Sequence, residues 1–224
     1  MAGKIVTIDG PAGAGKSTLA RMLAAELGFV HFDSGALYRA IALYYIRMEY
    51  FDPGLWESQA HEAPLKAVGC DGKTSVYLGD ECVDGLIRST EVSRAVSPVS
   101  SAIGVRVEVN ARAAAMAQGF DLVADGRDMG SVVFPNAQVK FFLDASPIER
   151  ARRRLAEELA RGRETYLEQV LAEQQARDAN DRKKPWGALK VPEGGIVIDT
   201  TGLSIPEVLA ILIKDSKVVL AGNA

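Results

Sequence analysis

The chain has 224 residues, of which 48% are hydrophobic and 25% charged, an ordinary composition for a globular protein. Its net charge of −3 provides no overall field that would draw it to nucleic acid or to an anionic membrane, and its apolar runs are too short to span a bilayer. Cys70 and Cys82 have no zinc-site spacing and suit a reducing cytoplasm, while His31 and His61 stand alone and are interpreted as structural or solvated. We therefore expect a cytoplasmic monomer with one domain over residues 1–224 and no nucleic-acid or membrane partner.

The first element is a strand, a glycine-rich loop and a helix. Lys4 to Ile8 is a β-branched run, and apolar residues from Leu19 to Leu27 recur with helical spacing. The loop between them matches G-x-x-x-x-G-K-[ST], whose glycines let backbone N–H groups surround a phosphate. Lys16 is predicted to reach the outer phosphates of a nucleoside triphosphate and Ser17 to ligate Mg²⁺. The predicted nucleotide-binding residues are Gly10, Pro11, Ala12, Gly13, Ala14, Gly15, Lys16, Ser17 and Thr18.

Strands and helices alternate along the rest of the chain. In the first half, the pattern predicts a strand at Phe29 to Asp33, a helix from Ser34, a linker or excursion at Asp52 to Pro64 and a hairpin over Thr74 to Val83. An interrupted helix is predicted over Glu91 to Gln118, followed by strands at Leu122 to Ala124 and Val139 to Leu143. The remaining elements are helices at Pro147 to Arg161 and Thr165 to Ala179, a strand at Ile196 to Asp199 and a helix at Ile205 to Leu220. This order predicts an α/β fold, a parallel sheet flanked by helices on both faces, with ligands at the carboxyl ends of the strands. Residues 50–90 interrupt the alternation and are interpreted as an insertion on one core.

The stretch D-S-G-A-L-Y-R, residues 33–39, carries a strand into a helix. Ser34, the free N–H groups of the helix and Arg39 suit a second phosphate group. The alternative is structural, with Ser34 as the helix N-cap and Arg39 as a surface charge.

The stretch D-G-R-D, residues 125–128, follows another apolar strand. Asp125 is in position to hold Mg²⁺, Arg127 to hold a phosphate and Asp128 to accept hydrogen bonds from a ligand. The alternative is that Arg127 and the two aspartates pair only with one another.

A third cluster is the arginine-rich segment at 148–164. Arg150, Arg153, Arg154 and Arg161 share one side of the predicted helix. They are expected to form a mobile lid that closes on the transferring phosphoryl group, because four cations on one stripe repel one another unless an anion is present. The alternative is a solvated helix face. The predicted catalytic residues are Lys16, Arg127, Arg153 and Arg154.

Taken together, these motifs resemble those of the bacterial cytidylate kinases, a family in the nucleoside monophosphate kinase group. The resemblance runs from about Lys4 to Leu212. It rests on G-P-A-G-A-G-K-S-T, D-S-G-A-L-Y-R, I-R-S-T-E-V-S, A-D-G-R-D-M-G-S-V-V-F-P, K-F-F-L-D-A-S and R-D-A-N-D-R.

The resemblance implies phosphoryl transfer from ATP with Mg²⁺ to CMP, and also to dCMP, with residues 36–98 as the monophosphate-binding part. It implies that the acceptor phosphate is held by Ser34, Arg39 and Arg127, that cytosine is read by Ser97, Arg106 and Asp128, and that Arg177 and Asp181 lie near ribose and phosphates. One position departs from the family pattern: Lys184 stands where the family has an arginine on the acceptor phosphate. Lysine keeps the charge but loses the forked geometry.

Two other functions stay open at this point. One is a kinase for a different monophosphate, UMP or AMP. The other is a nucleotide-binding module without turnover, against which the intact Lys16–Ser17 pair and the two arginine-bearing motifs argue. A switch GTPase is excluded because N-K-x-D does not occur.

Overall fold

The structure, a computed structural model, describes residues 3–160 and 162–222, without the side chain of Cys70, so Arg161 lies outside the described residues. The strands are Ile5–Asp9 (β1), Val30–Asp33 (β2), Leu65–Cys70 (β3), Lys73–Leu78 (β4), Glu81–Cys82 (β5), Leu122–Asp125 (β6), Val139–Asp144 (β7) and Ile196–Asp199 (β8). The helices are Lys16–Leu27 (α1), Ser34–Arg47 (α2), Pro53–Gln59 (α3), Thr90–Val99 (α4), Ile103–Gly119 (α5), Pro147–Ala160 (α6), Leu167–Lys183 (α7) and Ile205–Gly222 (α8). None of these helices is both long enough and apolar enough to cross a membrane.

The sheet is parallel at its centre, in the order β2-β6-β1-β7-β8. Asp125 at the end of β6 lies in register with Ile8 on one side and Asp33 on the other. The motifs that end these strands therefore meet at one edge of the sheet. The expected fold, a parallel sheet flanked by helices, is confirmed.

The two faces of the sheet bury separate cores. Along β6, Leu122 and Ala124 point into a core shared with α2, α4 and α5, while Val123 points into a core shared with α1 and α8. This alternation follows from the two-residue period of a strand. Helices on both faces hold the strands rigidly, so the loops at their carboxyl ends start from fixed positions.

The insertion is more regular than the sequence predicted. The hairpin is confirmed as β4 and β5, but β3 was not predicted; it pairs antiparallel with β4, and β4 joins the main sheet where Lys73 meets His31. The linker at Asp52 to Pro64 was also wrong, because it contains α3. Asp52 accepts a hydrogen bond from the N–H of Gly54, and Pro53 begins the helix. A proline that looks like a helix breaker is here at the first helical position, where it is tolerated.

The predicted interruption between Glu91 and Gln118 is confirmed, with α4 ending at Val99 and α5 beginning at Ile103. Pro98 lies in the last turn of α4. Gly104 is not at the break but inside the first turn of α5, where a Cβ would overlap the carbonyl of Glu57. It therefore permits the close approach of α3 to α5.

Gly10 and Gly28 provide a matched test of backbone constraint. Both have positive φ, but a Cβ on Gly10 would overlap the carbonyl oxygen of Leu143, whereas Gly28 has open space around it. Gly28→Ala should lower the free energy of unfolding by about 1 kcal/mol, the cost of a left-handed backbone. Gly10→Ala should lower it by roughly 1–3 kcal/mol more, because the overlap adds an overpacking penalty. Urea unfolding measures both free energies. Equal losses of stability in the two variants would contradict the close approach of Gly10 to the carbonyl of Leu143.

Candidate functional site

The glycine-rich loop after β1 has the backbone of a phosphate-binding loop. Gly13 and Gly15 have φ of 78° and 84°, and residues 10–18 form the loop and the first turn of α1. Lys16, the first residue of α1, is buried, and its Nζ donates to the carbonyl of Pro11 at 2.5 Å. Burial, together with the nearby Arg127, holds the pKa of Lys16 well below its usual value. A phosphate beside Lys16 would favour its charged form.

A buried ion pair between Arg150 and Asp178 bonds to the backbone of this loop. Arg150 donates from Nη1 to the carbonyl of Ala12 at 3.0 Å and to Asp178 Oδ2 at 2.6 Å. Asp178 also accepts from the N–H of Ala12 at 3.3 Å. Arg150 and Asp178 thus fix both backbone groups of one loop residue. Sequence reasoning missed this role, because the contacts join positions more than a hundred residues apart.

The expectation of an unpaired arginine stripe on α6 is wrong for the described residues. Besides Arg150, which pairs with Asp178, the structure pairs Arg153 with Glu149 and Thr200, and Arg154 with Glu157 and Glu158. The acidic partners on α6 lie three or four residues away along the helix, where ion pairs form readily. The same helical period that aligned the arginines also aligned these glutamates.

Asp125 lies between three elements of the site. Its Oδ2 accepts from the hydroxyl of Ser17 at 2.6 Å, and its Oδ1 lies 2.7 Å from Nε2 of His31. Burial acts to raise its pKa, but the contacts with His31 and Ser17 and the charge of Lys16 hold the pKa of Asp125 below its usual value. A hydroxyl beside an ionised carboxylate offers the oxygen ligands that Mg²⁺ prefers. Ser17 and Asp125 therefore fit the predicted magnesium site.

His31 is a residue of this site that the sequence did not reveal as such. It was interpreted as isolated, yet it contacts the Asp125 carboxylate and is buried. The missed signal was its position two residues before Asp33 on a strand, which puts both side chains on one face. Its hydrogen bond fixes the orientation of the carboxylate whose other oxygen meets Ser17.

Asp9 is a second missed residue. It is fully buried at the end of β1, and its two carboxylate oxygens accept from the N–H groups of Met129 at 2.8 Å and Gly130 at 2.7 Å. These residues begin a π-helical turn, Met129–Val133, directly after D-G-R-D. Burial raises the pKa of Asp9 to about 7, although the two N–H groups oppose the shift. Asp9 ties the loop after β6 to the phosphate loop after β1.

The start of α2 rules out one of the two interpretations of Ser34, the structural one. The helix is capped by Asp33, which accepts from the N–H of Ala36 at 3.1 Å, so the proposed N-cap role of Ser34 is wrong. The hydroxyl of Ser34 donates instead to the carbonyl of Asp125 at 2.8 Å. This bond joins α2 to β6 and places Ser34 at the same edge of the sheet as Ser17 and Asp125.

Four arginines are electrostatic neighbours in the site: Arg39, Arg127, Arg154 and Arg177. Burial and the neighbouring arginines lower the pKa of Arg39, and they lower the pKa of Arg177 to about 10. In the described part of the chain, the side chains of Arg39 and Arg177 make no hydrogen bond or ion pair. Cations that are held together without sufficient carboxylates indicate a site for an anion.

The aspartates of D-G-R-D pair with partners outside the motif. Arg127 donates from Nε to Asp181 Oδ2 at 3.0 Å, while Asp128 forms a buried ion pair with Arg106. The alternative in which Arg127 and the two aspartates pair only with one another is therefore wrong. Lys184 is also in the cluster, since its Nζ lies 2.9 Å from Asp181 Oδ1.

Ser97 lies on α4 beside the Arg106–Asp128 pair. Arg106 donates from Nη1 to the carbonyl of Ser100 at 3.2 Å, and the hydroxyl of Ser100 donates to the carbonyl of Ser97 at 3.0 Å. The hydroxyl of Ser100 also lies 3.2 Å from Nζ of Lys184. A chain of contacts therefore joins the residues predicted to read a base to Lys184 and, through it, to Asp181.

A phosphate loop, a hydroxyl–carboxylate pair suited to Mg²⁺ and a second cationic cluster at adjacent strand ends define a P-loop kinase of small molecules. The family model described as cytidylate kinase matches residues 6–218. The chain therefore belongs to the cytidylate kinase family.

Individual relatives agree with this assignment. The cytidylate kinase of Pasteurella multocida is 44% identical over 208 residues, which cover 92% of each chain. That of Salinibacter ruber is 46% identical over 212 residues, covering 91% of this chain and 92% of the relative. Among solved structures, an uncharacterized protein from Eubacterium ventriosum aligns with a TM-score of 0.51 over 94% of this chain and 96% of its own, at 10% identity. That last likeness concerns the fold alone.

Asp9 should make stability depend on pH. The folded state holds its proton up to about pH 7, whereas the unfolded chain releases it near pH 4. Between these values the folded state binds more protons, so the contribution of Asp9 to the free energy of unfolding should fall as pH rises, by up to about 1.4 kcal/mol per pH unit. Urea unfolding of wild type and Asp9→Asn from pH 4 to 8 measures the difference.

In Asp9→Asn the free energy of unfolding should no longer decrease in this way as pH rises. In Asp80→Asn, a change at an exposed position, the decrease should remain. The same pH dependence in wild type and Asp9→Asn would show that Asp9 is ionised throughout.

Proposed function

We propose that the protein transfers the γ-phosphoryl group of ATP to CMP, and also to dCMP, forming CDP or dCDP and ADP. The observation that carries this proposal is the pair of anion sites at adjacent strand ends, one in the phosphate loop and one in the arginine cluster. Family membership supports CMP as the acceptor. The enzyme acts as a cytoplasmic monomer on these small molecules, without nucleic acid or membrane.

ATP binds to residues 10–18, with Lys16 beside its outer phosphates. Ser17 and Asp125 hold Mg²⁺, which when bound neutralises charge on the triphosphate. His31 orients Asp125, and Arg150 with Asp178 holds the loop in shape. These supports are preformed, so the loop needs little rearrangement when ATP arrives.

The acceptor phosphate binds to the cationic cluster. Ser34, Arg39 and Arg127 hold it, while Arg177 and Asp181 lie near the ribose and the phosphates. The mutual repulsion of Arg39 and Arg177 supports this assignment, since a bound phosphate would relieve it.

Cytosine binds beside Ser97, Arg106 and Asp128. It presents an N4 amino donor next to the N3 acceptor, whereas uracil presents an oxygen and an N–H. A carboxylate and a guanidinium side by side match the cytosine pattern and oppose that of uracil. Residues 36–98 form the monophosphate-binding part around this base.

The reaction needs no general base, because the attacking phosphate oxygen is already anionic. Catalysis consists of in-line positioning and neutralisation of charge by Lys16 and the arginines. We assign residues 148–164 as the lid. Arg154 is near the cluster, since it lowers the pKa of Arg39 and Arg177, whereas Arg153 must leave Thr200 before it can contact a phosphate.

A panel of acceptors tests the proposal. Release of ADP is measured in a coupled assay with CMP, dCMP, UMP and AMP. The kcat/KM for CMP should exceed that for UMP by at least about 10²-fold, because a site built for one hydrogen-bond pattern leaves buried groups unpaired with the other. Lys16→Ala should lower kcat by at least about 10²-fold, since it removes preorganised charge at the transferring group.

Lys214→Ala, which changes an exposed lysine of α8, is the control for Lys16→Ala. Equal use of UMP and CMP would contradict the assignment of the base site. Near-wild-type turnover in Lys16→Ala would contradict the mechanism, and ATP binding without any turnover would indicate a binding module.

Lys184 can be tested by restoring the family residue. If Lys184 contacts the acceptor phosphate, Lys184→Arg should hold or lower the KM for CMP, because a forked donor replaces a point charge, and Lys184→Ala should raise it. The exposed neighbour Lys183 provides matched controls, since Lys183→Arg and Lys183→Ala should leave KM unchanged. The idea fails if Lys184→Ala and Lys183→Ala have the same KM as wild type.

A further inference from the structure

Trp186 lies in the segment after α7 and contacts the arginine of the base site. The Arg106 guanidinium carbon is 5.6 Å from the centre of the Trp186 ring and 5.7 Å from that of Tyr38. Arg106 is only 3% exposed. At these distances both rings attract the cation, and tryptophan does so most strongly. The family resemblance gave Trp186 no role.

The backbone beside Trp186 is equally close to the base site. Gly187 has a φ of 68°, and a Cβ on it would overlap both the Arg106 guanidinium and the Asp128 carboxylate. The N–H of Leu189 donates to the carbonyl of Asp181 at 2.9 Å, which fastens the segment back onto α7. Residues 186 and 187 therefore press directly on the Arg106–Asp128 pair.

The contacts that Arg106 makes in the described part of the chain leave its Nε–H group unpaired. Nη1 donates to Ser100 and Nη2 to Asp128, whereas the buried Nε has no hydrogen-bond partner among the described residues. The buried hydroxyl of Tyr38 is likewise without a partner there. Unpaired buried polar groups are expensive unless a ligand completes them. Two hydrogen bonds hold the guanidinium in one orientation, and Arg106 Nε and the Tyr38 hydroxyl remain able to bond to a ligand.

We propose that Trp186 is a specificity-determining positioning residue for the acceptor base. Its ring, together with the close backbone approach that Gly187 permits, holds Arg106 in the orientation in which Arg106 and Asp128 read cytosine. The inference rests on the proposed function, because it assumes that this pair reads the base. Trp186 acts on selectivity through Arg106 and need not touch the nucleotide.

Removal of the Trp186 ring has different effects on the two acceptors depending on whether the ring fills space or positions Arg106. If Trp186 only fills space, Trp186→Ala lowers stability and affects all acceptors alike. If it positions Arg106, the guanidinium gains rotational freedom, and binding of CMP suffers more than binding of UMP, which the oriented pair already disfavours. The CMP-to-UMP ratio of kcat/KM should then shrink by about tenfold, chiefly through KM for CMP.

The first experiment measures kcat and KM for CMP, UMP and ATP in Trp186→Ala, Trp186→Phe and Gly187→Ala. Trp186→Phe keeps a ring and should retain most of the selectivity; Gly187→Ala displaces the pair and should reduce it. The KM for ATP should stay unchanged throughout. Lys214→Ala, which changes an exposed lysine of α8, is the control and should leave kcat and all three KM values unchanged.

The second experiment does not depend on turnover. The sequence has two tryptophans, so Trp56→Phe leaves Trp186 as the sole tryptophan reporter. Titration with CMP in the absence of ATP should change its fluorescence saturably, and UMP should require a much higher concentration.

Three outcomes overturn the inference. They are an unchanged CMP-to-UMP ratio in Trp186→Ala, equal losses with both acceptors, and Trp186 fluorescence that does not respond to CMP. A wild-type enzyme without preference for CMP would be a different result, since it would overturn the proposed function and this inference with it.

Discussion

Asp125 is the residue on which the geometry of the site depends. Its carboxylate accepts from Ser17 on α1 and contacts His31 on β2, and its carbonyl accepts from Ser34 on α2. One buried residue at the end of β6 thereby joins the helix of the phosphate loop to the helix of the acceptor site. Asp9 makes a second such connection, from β1 to Met129. The distance between the phosphate loop and the start of α2 is set by these bonds and by the parallel strands beneath them.

The fold also holds several like charges close together. Burial and neighbouring arginines lower the pKa values of Arg39 and Arg177, and burial together with Arg127 lowers the pKa of Lys16. Such repulsion opposes folding, and the burial of apolar side chains in the two cores of the sheet offsets this cost. A phosphate bound beside Arg39 and Arg177 would oppose this repulsion and favour their charged forms.

Local patterns predicted most of the fold and only part of the site. The phosphate loop, α1 and the central strands follow from spacing within a dozen residues. Partners distant in the chain could not be predicted that way: Arg150 meets Ala12, and Asp9 meets Gly130. The stripe on α6 failed for a related reason, because periodicity gives the side of a helix on which Arg153 lies but not the Thr200 that receives it. Burial and pairing are properties of the assembled sheet.

The segment that ends α7 connects the two halves of acceptor recognition. Lys184 contacts Asp181, which holds Arg127 at the phosphate end, and it also reaches the Ser100 hydroxyl, next to the carbonyl that Arg106 uses at the base end. Two residues later, Trp186 contacts Arg106 itself. A displacement of this segment therefore changes the phosphate contacts and the base contacts together. Lys184 makes both of its contacts, with Asp181 and with Ser100, through a single flexible ammonium group, so its position links the two sets of contacts directly.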